Sequence, residues 1–206
     1  MSSISGRALK RLQRSFGELS LCKSVLVIRP TGHIVRGFMF ERTPYKGLFY
    51  FWRIVFPLYT QWPIIYLNYS NRLAKGDYID LSDAEFERSI AVLVDTISSE
   101  LADLRSIHDP ETFLVRFGGP SIEQGYSMRM DAFDAAMTYY LMGKTEFSLN
   151  ALEYLAGADL ALGGVDIRKS RRALLHEMRI DPSACGRKIA ELRRRTSEDL
   201  PWNRQC

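Results

Sequence analysis

Residues 23–58 read KSVLVIRPTGHIVRGFMFERTPYKGLFYFWRIVFPL and carry the strongest indication of the fold class. Its runs of β-branched and aromatic residues are interrupted twice by turn-forming residues, at Pro30–Gly32 and at Thr43–Gly47. Strands joined by such short connections pair with their neighbours in the chain and run antiparallel. We therefore predict strands over residues 23–29, 33–42 and 48–58. The last of these is apolar on both faces, which predicts a strand covered on each side.

On either side of this stretch the pattern extends the sheet and adds a helix. Residues 63–69 predict a fourth strand, and residues 71–80 a polar return, which gives a four-stranded antiparallel meander over about residues 23–70. Upstream, Leu9, Leu12, Phe16 and Leu19 recur at three or four residues and predict an amphipathic N-terminal helix. Its outer side is basic.

After residue 80 the apolar residues recur at helical spacing. Ser82 and Glu85 match a capping box, which predicts the start of a long helix. Two more helices over 131–141 and 145–155 turn at Gly143, and two basic helices follow over 166–179 and 183–195. We predict an α+β fold in which the N-terminal helix and the four-stranded sheet pack against a mostly helical C-terminal half. A single domain over residues 1–206 is expected, with residues 1–80 as helix and sheet and 81–206 as the helical part.

The charge is unevenly distributed along the chain. The 206 residues carry a net charge of +4. Residues 1–75 hold twelve Lys and Arg against two acidic residues, residues 76–167 five against seventeen, and residues 168–206 eleven against five. Either these segments neutralise one another within the fold, or one of them is a docking face for a charged partner.

Three features bear on location. The longest apolar run, residues 47–59, contains Arg53 and Pro57 and is shorter than the roughly 20 residues that a spanning helix needs, so no membrane span is predicted. The first twenty residues have no apolar core of the kind found in secretion signals. Cys22, Cys185 and Cys206 form no C-x-x-C pair, which favours reduced thiols. We expect a cytoplasmic protein.

No motif assigns an enzymatic reaction. The sequence lacks a glycine-rich phosphate loop, a nucleophile elbow and the spacing of a metal site, and we expect no catalytic residue, cofactor or metal. The weaker alternative is an enzyme with an unrecognised site built from His33, Glu41 and residues 68–80.

A basic and aromatic set on the predicted strands and turns is the first candidate site: Arg29, His33, Arg36, Arg42, Tyr45 and Lys46. Arginine and tyrosine are favoured anchors in protein interfaces, and we predict a non-enzymatic protein-interaction module of the adaptor, inhibitor or toxin-neutralising type. In a purely structural interpretation, Arg36 and Arg42 pair with the acidic helix instead. A buried guanidinium requires a carboxylate, and Glu41 and the acids of the long helix are the candidates for Arg36.

Nucleic-acid binding is the alternative function. The same sheet surface is able to stack bases, and the last helix carries a basic cluster: Arg187, Lys188, Arg193, Arg194 and Arg195. Because Glu191, Glu198 and Asp199 lie among these cations, a solvated helix face is the simpler interpretation. The sequence identifies neither the partner nor the oligomeric state.

Overall fold

The computed structural model describes residues 4–22, 24–29, 32–59, 67–73, 78–118, 132–157 and 165–199. They fall into two compact units. The described residues of 1–56 and 65–108 form the first unit, and those of 57–64 and 109–199 form the second. The first holds an N-terminal helix and the sheet, and the second is helical, so the predicted α+β class is confirmed. That the chain is a single domain stays a prediction.

The described residues of the first unit form two helices and six strands. Its helices are α1 (Ile4–Ser15) and α2 (Phe86–Ser106), and a 3-10 turn spans Leu67–Tyr69. The strands are β1 (Leu19–Cys22), β2 (Val25–Ile28), β3 (Ile34–Arg42), β4 (Leu48–Pro57), β5 (Asn71–Leu73) and β6 (Ile79–Asp80). The helix α1 buries Ala8, Leu9 and Leu12, as its apolar spacing predicts.

The strands form one sheet in the order β1-β2-β3-β4-β5, and β6 also pairs with β4. Val25 of β2 lies opposite Met39 of β3 in an antiparallel register. On the far side of β4, Trp52 lies opposite Arg72, and Leu48 opposite Asp80, again antiparallel. Thus two short strands occupy one edge of β4 in succession.

In the described part of the chain the sheet has six strands, whereas the sequence predicts four. The strand β1 was missed because Leu19 fits the spacing of the preceding helix, although that helix ends at Ser15. The predicted polar return contains β5 and β6. Residues 63–66 of the predicted fourth strand lie outside the described residues, and the prediction is wrong for Leu67–Tyr69, which form the 3-10 turn.

Side chains alternate between two faces along β4. The inner face carries Phe51 and Arg53, which lie on the side of α2, and Phe51 stacks on Phe38 of β3 with ring centroids 5.7 Å apart. The outer face carries Tyr50 and Trp52, both only partly buried. The helix α2 buries its apolar stripe, as its spacing predicts: Phe86, Ile90, Leu93, Ile97, Leu101 and Leu104.

The predicted capping box at the start of α2 is wrong. Residues 82–85 form a turn in which Glu85 N donates to Ser82 O at 3.1 Å, and the helix begins only at Phe86. Glu85 occupies the N-cap position without a side-chain capping hydrogen bond. Asp80, at the end of β6, accepts a hydrogen bond from Ser82 N at 2.8 Å. The chain leaving the strand therefore forms its own turn before the helix.

The second unit is helical. It contains α3 (Pro110–Phe117), α4 (Ala132–Leu141), α5 (Thr145–Gly157), α6 (Val165–Ile180) and α7 (Ser183–Asp199). The predicted turn between α4 and α5 is confirmed, with Gly143 in the left-handed region at a φ of 74°. The core includes Tyr59, Phe133, Met137, Leu152, Met178 and Cys185. Within it, the hydroxyl groups of Tyr59 and Thr138 lie 2.8 Å apart.

The structure bears on two expectations about location, the membrane span and the state of the thiols. Among the described residues, no helix combines the length and apolarity needed to cross a membrane. Cys185 is a free buried thiol, and burial raises its pKa to about 12. Cys22 is disulfide-bonded, so the expectation of three reduced thiols is wrong. The cytoplasmic location stays a prediction and loses this support.

Candidate partner-binding surface

The outer face of the sheet carries a cluster of rings around one arginine. Arg72 of β5 lies opposite Trp52 in the strand register, so its side chain emerges beside the rings of β4. Its guanidinium carbon lies 3.7 Å from the ring centroid of Tyr50 and 5.1 Å from that of Trp52. Such cation–π contacts favour one position of an otherwise mobile side chain.

Two tyrosines extend this cluster toward solvent. The ring centroid of Tyr78 lies 5.2 Å from that of Tyr50, and the centroid of Tyr45 lies 5.9 Å from that of Tyr78. Tyr45 is 60% exposed and Tyr78 42%. We name these five residues the outer aromatic surface: Tyr45, Tyr50, Trp52, Arg72 and Tyr78.

Hydrogen bonds fix the polar atoms of the outer aromatic surface. Trp52 Nε1 donates to Glu41 Oε2 of β3 at 2.7 Å, which sets the orientation of the indole. A side-chain hydrogen bond with Tyr50 raises the pKa of Tyr78, so the Tyr78 phenol stays neutral at pH 7. Arg72 then supplies the positive charge of the surface.

A cavity of 320 Å³ adjoins this surface at the β3–β4 turn. Three of the six residues predicted for partner binding, Arg42, Tyr45 and Lys46, line it together with Ile4 and Ser5 of α1. All three predicted residues are exposed. The structure thus brings this half of the predicted site together.

The other three predicted residues lie elsewhere. Arg29 is exposed and His33 half-buried, and they flank the β2–β3 turn at the opposite end of β3. Arg36 is only 4% exposed and lies on the inner face. The six residues therefore occupy three separate places and do not form one surface.

The alternative enzyme site stays a prediction, and residues 74–77 of it lie outside the described residues. His33 precedes β3 and Glu41 lies near its end, which at about 3.3 Å per residue puts them roughly 26 Å apart. The Glu41 carboxylate accepts a hydrogen bond from Trp52 Nε1. Among the described residues, no cluster of three or more His, Cys, Asp and Glu side chains is arranged to hold a metal ion.

Two buried arginines on the inner face reach the C-terminal end of α2. Arg36 Nη1 donates to the backbone carbonyl of Arg105 at 3.4 Å, and desolvation lowers its pKa. Arg53 Nη1 lies 2.9 Å from Glu100 Oε2, and its Nη2 lies 2.5 Å from Asp103 Oδ2. The negative end of a helix dipole favours cations at this position. These contacts attach α2 to the sheet.

Arg53, which was not among the predicted site residues, has two carboxylate partners on α2. In the sequence, Arg53 lies within an apolar strand, and it was not predicted to form an ion pair or to belong to a site. The signal was present: Glu100 and Asp103 are spaced three residues apart on the acidic helix, and an arginine within an apolar strand requires such a pair.

Arg72 and Tyr78 were also missed. Residues 71–80 are polar and short in apolar residues, so they predicted a return loop rather than strands. The usable signal was the alternation of Arg72 with Leu73 and of Tyr78 with Ile79, which is typical of half-buried strands.

The predicted basic cluster on α7 is largely paired. Arg187 lies 2.8 Å from Asp181, Lys188 2.8 Å from Glu191, and Arg195 2.7 Å from the same Glu191. Hydrogen bonds from Ser183 and then Arg187 lower the pKa of Asp181 to about 2. Arg193 and Arg194 are not free of partners either.

A comparison of the chain with protein-family models, with curated proteins and with solved structures finds no match. What the chain binds has to be inferred from the chemistry of its own side chains.

Proposed function

We propose that the chain is a non-enzymatic protein-interaction module of the adaptor, inhibitor or toxin-neutralising type, and that its partner docks on the outer aromatic surface. The observation that carries this proposal is the exposed tyrosine pair, Tyr45 and Tyr78, beside the stacked Arg72. Tyrosine, tryptophan and arginine are the residues that contribute most binding energy in protein interfaces.

The order of these side chains supports the same proposal. Arg72 is stacked on two rings, Trp52 is bonded to Glu41, and Tyr78 is bonded to Tyr50. Side chains already held in place lose less conformational entropy when a partner arrives, so more of the contact energy appears as affinity. Such a surface suits a preformed protein interface.

Its chemistry favours a protein over a nucleic acid. Arg72 lies over the rings of Tyr50 and Trp52, where a stacked base would otherwise pack. Glu41, beside Trp52, repels phosphate groups. Among the described residues, Arg72 and the cations at the adjoining turn, Arg42 and Lys46, have no carboxylate partner, so we expect carboxylates on the facing surface of the partner.

Nucleic-acid binding through the sheet and α7 stays a prediction. Three of the five cations proposed for it already have carboxylate partners on or next to α7. A phosphate has to displace these carboxylates to bind, which lowers the affinity that α7 offers.

Quantitative affinity capture tests the proposal. The tagged chain, the double variant Arg72→Ala, Tyr78→Ala and the control Tyr154→Ala are incubated with nuclease-treated lysate of the source cell, and bound proteins are quantified by mass spectrometry. Tyr154 is 46% exposed and lies on α5, so it matches Tyr78 in residue type and exposure. We expect at least one protein to be retained by the wild type and the control and depleted roughly tenfold by the double variant.

Equal recovery of every protein by all three chains would mean that the outer aromatic surface docks no protein. Thermal unfolding of the three chains provides the folding control. Because the altered side chains are exposed or half-exposed, each variant should unfold within about 1 kcal/mol of the wild type.

A further inference from the structure

A basic groove lies between α1 and the start of α2, away from the outer aromatic surface. It is a cavity of 570 Å³, lined on the α1 side by Arg7, Lys10, Arg11 and Arg14. On the α2 side it is lined by Asp83, Phe86 and Glu87. We name it the α1 groove.

The four cations share one face of α1. Their spacing of three, four and seven residues from Arg7 puts them along one side of the helix, and from Arg7 to Arg14 they span about 10 Å. The opposite side, with Ala8, Leu9 and Leu12, is buried. Because the apolar side is already covered, α1 presents a purely basic strip.

Most of this charge is not compensated within the described residues. Only Arg7 forms an ion pair there, with Asp83 at 2.9 Å, while Lys10, Arg11 and Arg14 form none. The like-charged pairs Arg7–Arg11 and Lys10–Arg14 are four residues apart, a spacing at which like charges destabilise a helix. An anion in the groove relieves this repulsion.

The basic helix α7, in contrast to α1, neutralises part of its charge with an acidic residue of its own. Its cations Lys188 and Arg195 both contact Glu191 on the same helix. The helix α1 contains no acidic residue at all. Among the described residues, the acidic side chains that line the groove are Asp83 and Glu87, and a bound anion would supply further counter-charge.

Two contacts hold the Arg7 side chain in position at one end of the groove. Its guanidinium carbon lies 4.1 Å above the ring centroid of Phe86, and its Nη2 bonds to Asp83. Phe86 is buried beneath it. The groove thus has a fixed guanidinium and three cations able to turn toward a ligand.

We propose that the α1 groove binds the phosphodiester backbone of a nucleic-acid duplex without reading its sequence. Guanidinium groups match phosphate oxygens in geometry and charge, and three of the four cations are arginines. A duplex carries about one charge per 1.7 Å of axis, so several phosphates lie within reach of the 10 Å strip.

The same groove is a poor fit for two other polyanions. A lipid surface is bound by helices that insert an apolar face, and that face of α1 is buried in the protein. Single strands are bound by stacking bases on aromatic rings, and Arg7 covers the ring of Phe86. This binding site is independent of the protein-docking role proposed above, because the two surfaces share no residue.

Fluorescence anisotropy with a labelled duplex of about 20 base pairs tests the proposal across 50–200 mM salt. The test variant is Lys10→Ala, Arg11→Ala, Arg14→Ala. The matched control is Arg187→Ala, Lys188→Ala, Arg195→Ala, which removes the same number of charges from the paired cations of α7. We expect the test variant to lose about tenfold in affinity and its salt slope to fall by about 3, while the control changes less than about twofold.

Three results would overturn the proposal: no binding of duplex by the wild type at 50 mM salt, equal losses in the two triple variants, or a loss confined to the α7 variant. Binding of phosphatidylserine vesicles but not of duplex, with the same dependence on Lys10, Arg11 and Arg14, would identify a membrane surface as the occupant instead. DNA and RNA duplexes are compared to establish which of them is bound more tightly.

Folding and the other surface are controlled separately. Alanine is the best helix former and the replaced residues are exposed, so the α1 variant should unfold at the wild-type temperature or slightly above it. A glutamine triple at the same positions should reproduce the loss of affinity. The variant Arg72→Ala, Tyr78→Ala should bind duplex as the wild type does, which separates the failure of one proposal from the failure of the other.

Discussion

The two faces of β4 use arginine in opposite ways. On the inner face, Arg53 is 5% exposed and contacts two carboxylates of α2. On the outer face, Arg72 is exposed, and its contacts with described side chains are to the flat faces of two rings. A charge removed from water requires an opposite charge, whereas a hydrated charge does not. The inner arginine is therefore committed to the fold, and the outer one is available to a partner.

This difference predicts that inner-face substitutions reduce stability and outer-face substitutions reduce binding. The largest effect is expected for Phe51→Ala. Phe51 is fully buried and contacts the rings of Phe38 and Phe40, so its truncation should lower the free energy of unfolding by about 4 kcal/mol. Urea denaturation followed by circular dichroism measures it. A loss below about 1 kcal/mol would show that the inner face is not a packed core.

A somewhat smaller loss is expected for Arg53→Ala. It leaves the half-buried carboxylates Glu100 and Asp103 without their cation, and the free energy of unfolding should fall by about 3 kcal/mol. The control is Arg88→Ala on α2, the helix that carries Glu100 and Asp103. The Arg88 guanidinium is exposed and lies 3.6 Å from Glu85. That variant should lose less than about 1 kcal/mol. Equal losses would contradict the role assigned to Arg53.

Arg72→Ala should change stability much less than Arg53→Ala does. An exposed cation–π contact contributes about 0.5–1 kcal/mol, and β5 keeps its backbone pairing with β4. The same urea titration measures the change, and the fluorescence of Trp52 reports the loss of the stacked guanidinium. A loss near 3 kcal/mol would place Arg72 among the residues that hold the fold and would weaken its assignment to docking.

The smallest effect concerns the protonation of Tyr78. Its hydrogen bond with Tyr50 raises its pKa, so the phenol should lose its proton at a pH above the ordinary value near 10. Nuclear magnetic resonance of tyrosines labelled at Cζ follows this titration. In Tyr50→Phe the pKa of Tyr78 should move down toward its ordinary value. An unchanged titration would show that the two phenols are not bonded in solution.

Sequence patterns predicted the elements whose signals are local. The strands β3 and β4 and the helical hairpin at Gly143 follow from neighbouring residues. Where a distant or preceding element competes, the local pattern misled. Asp80 of β6 binds Ser82 N, and the expected capping box does not form.

Only the part of the candidate site with a local sequence signal was predicted. Arg42, Tyr45 and Lys46 adjoin one turn, and the structure keeps them together. Whether Arg36 or Arg53 meets carboxylates depends on where α2 crosses the sheet, and strand alternation alone does not specify that. Arg72 lies in a strand of three residues, and Tyr78 directly precedes a strand of two residues; both strands are too short for a period of two to be evident.

Photo-crosslinking in the source cell tests whether a protein docks on the outer aromatic surface. A photoreactive phenylalanine replaces Tyr45 on the outer aromatic surface in one chain and Tyr154 on α5 in another, two exposed positions in different units. We predict a discrete crosslinked protein from position 45 that is absent from position 154 and that disappears when Arg72→Ala is added. Identical crosslinking patterns from the two positions, unaffected by Arg72→Ala, would contradict docking on the outer face.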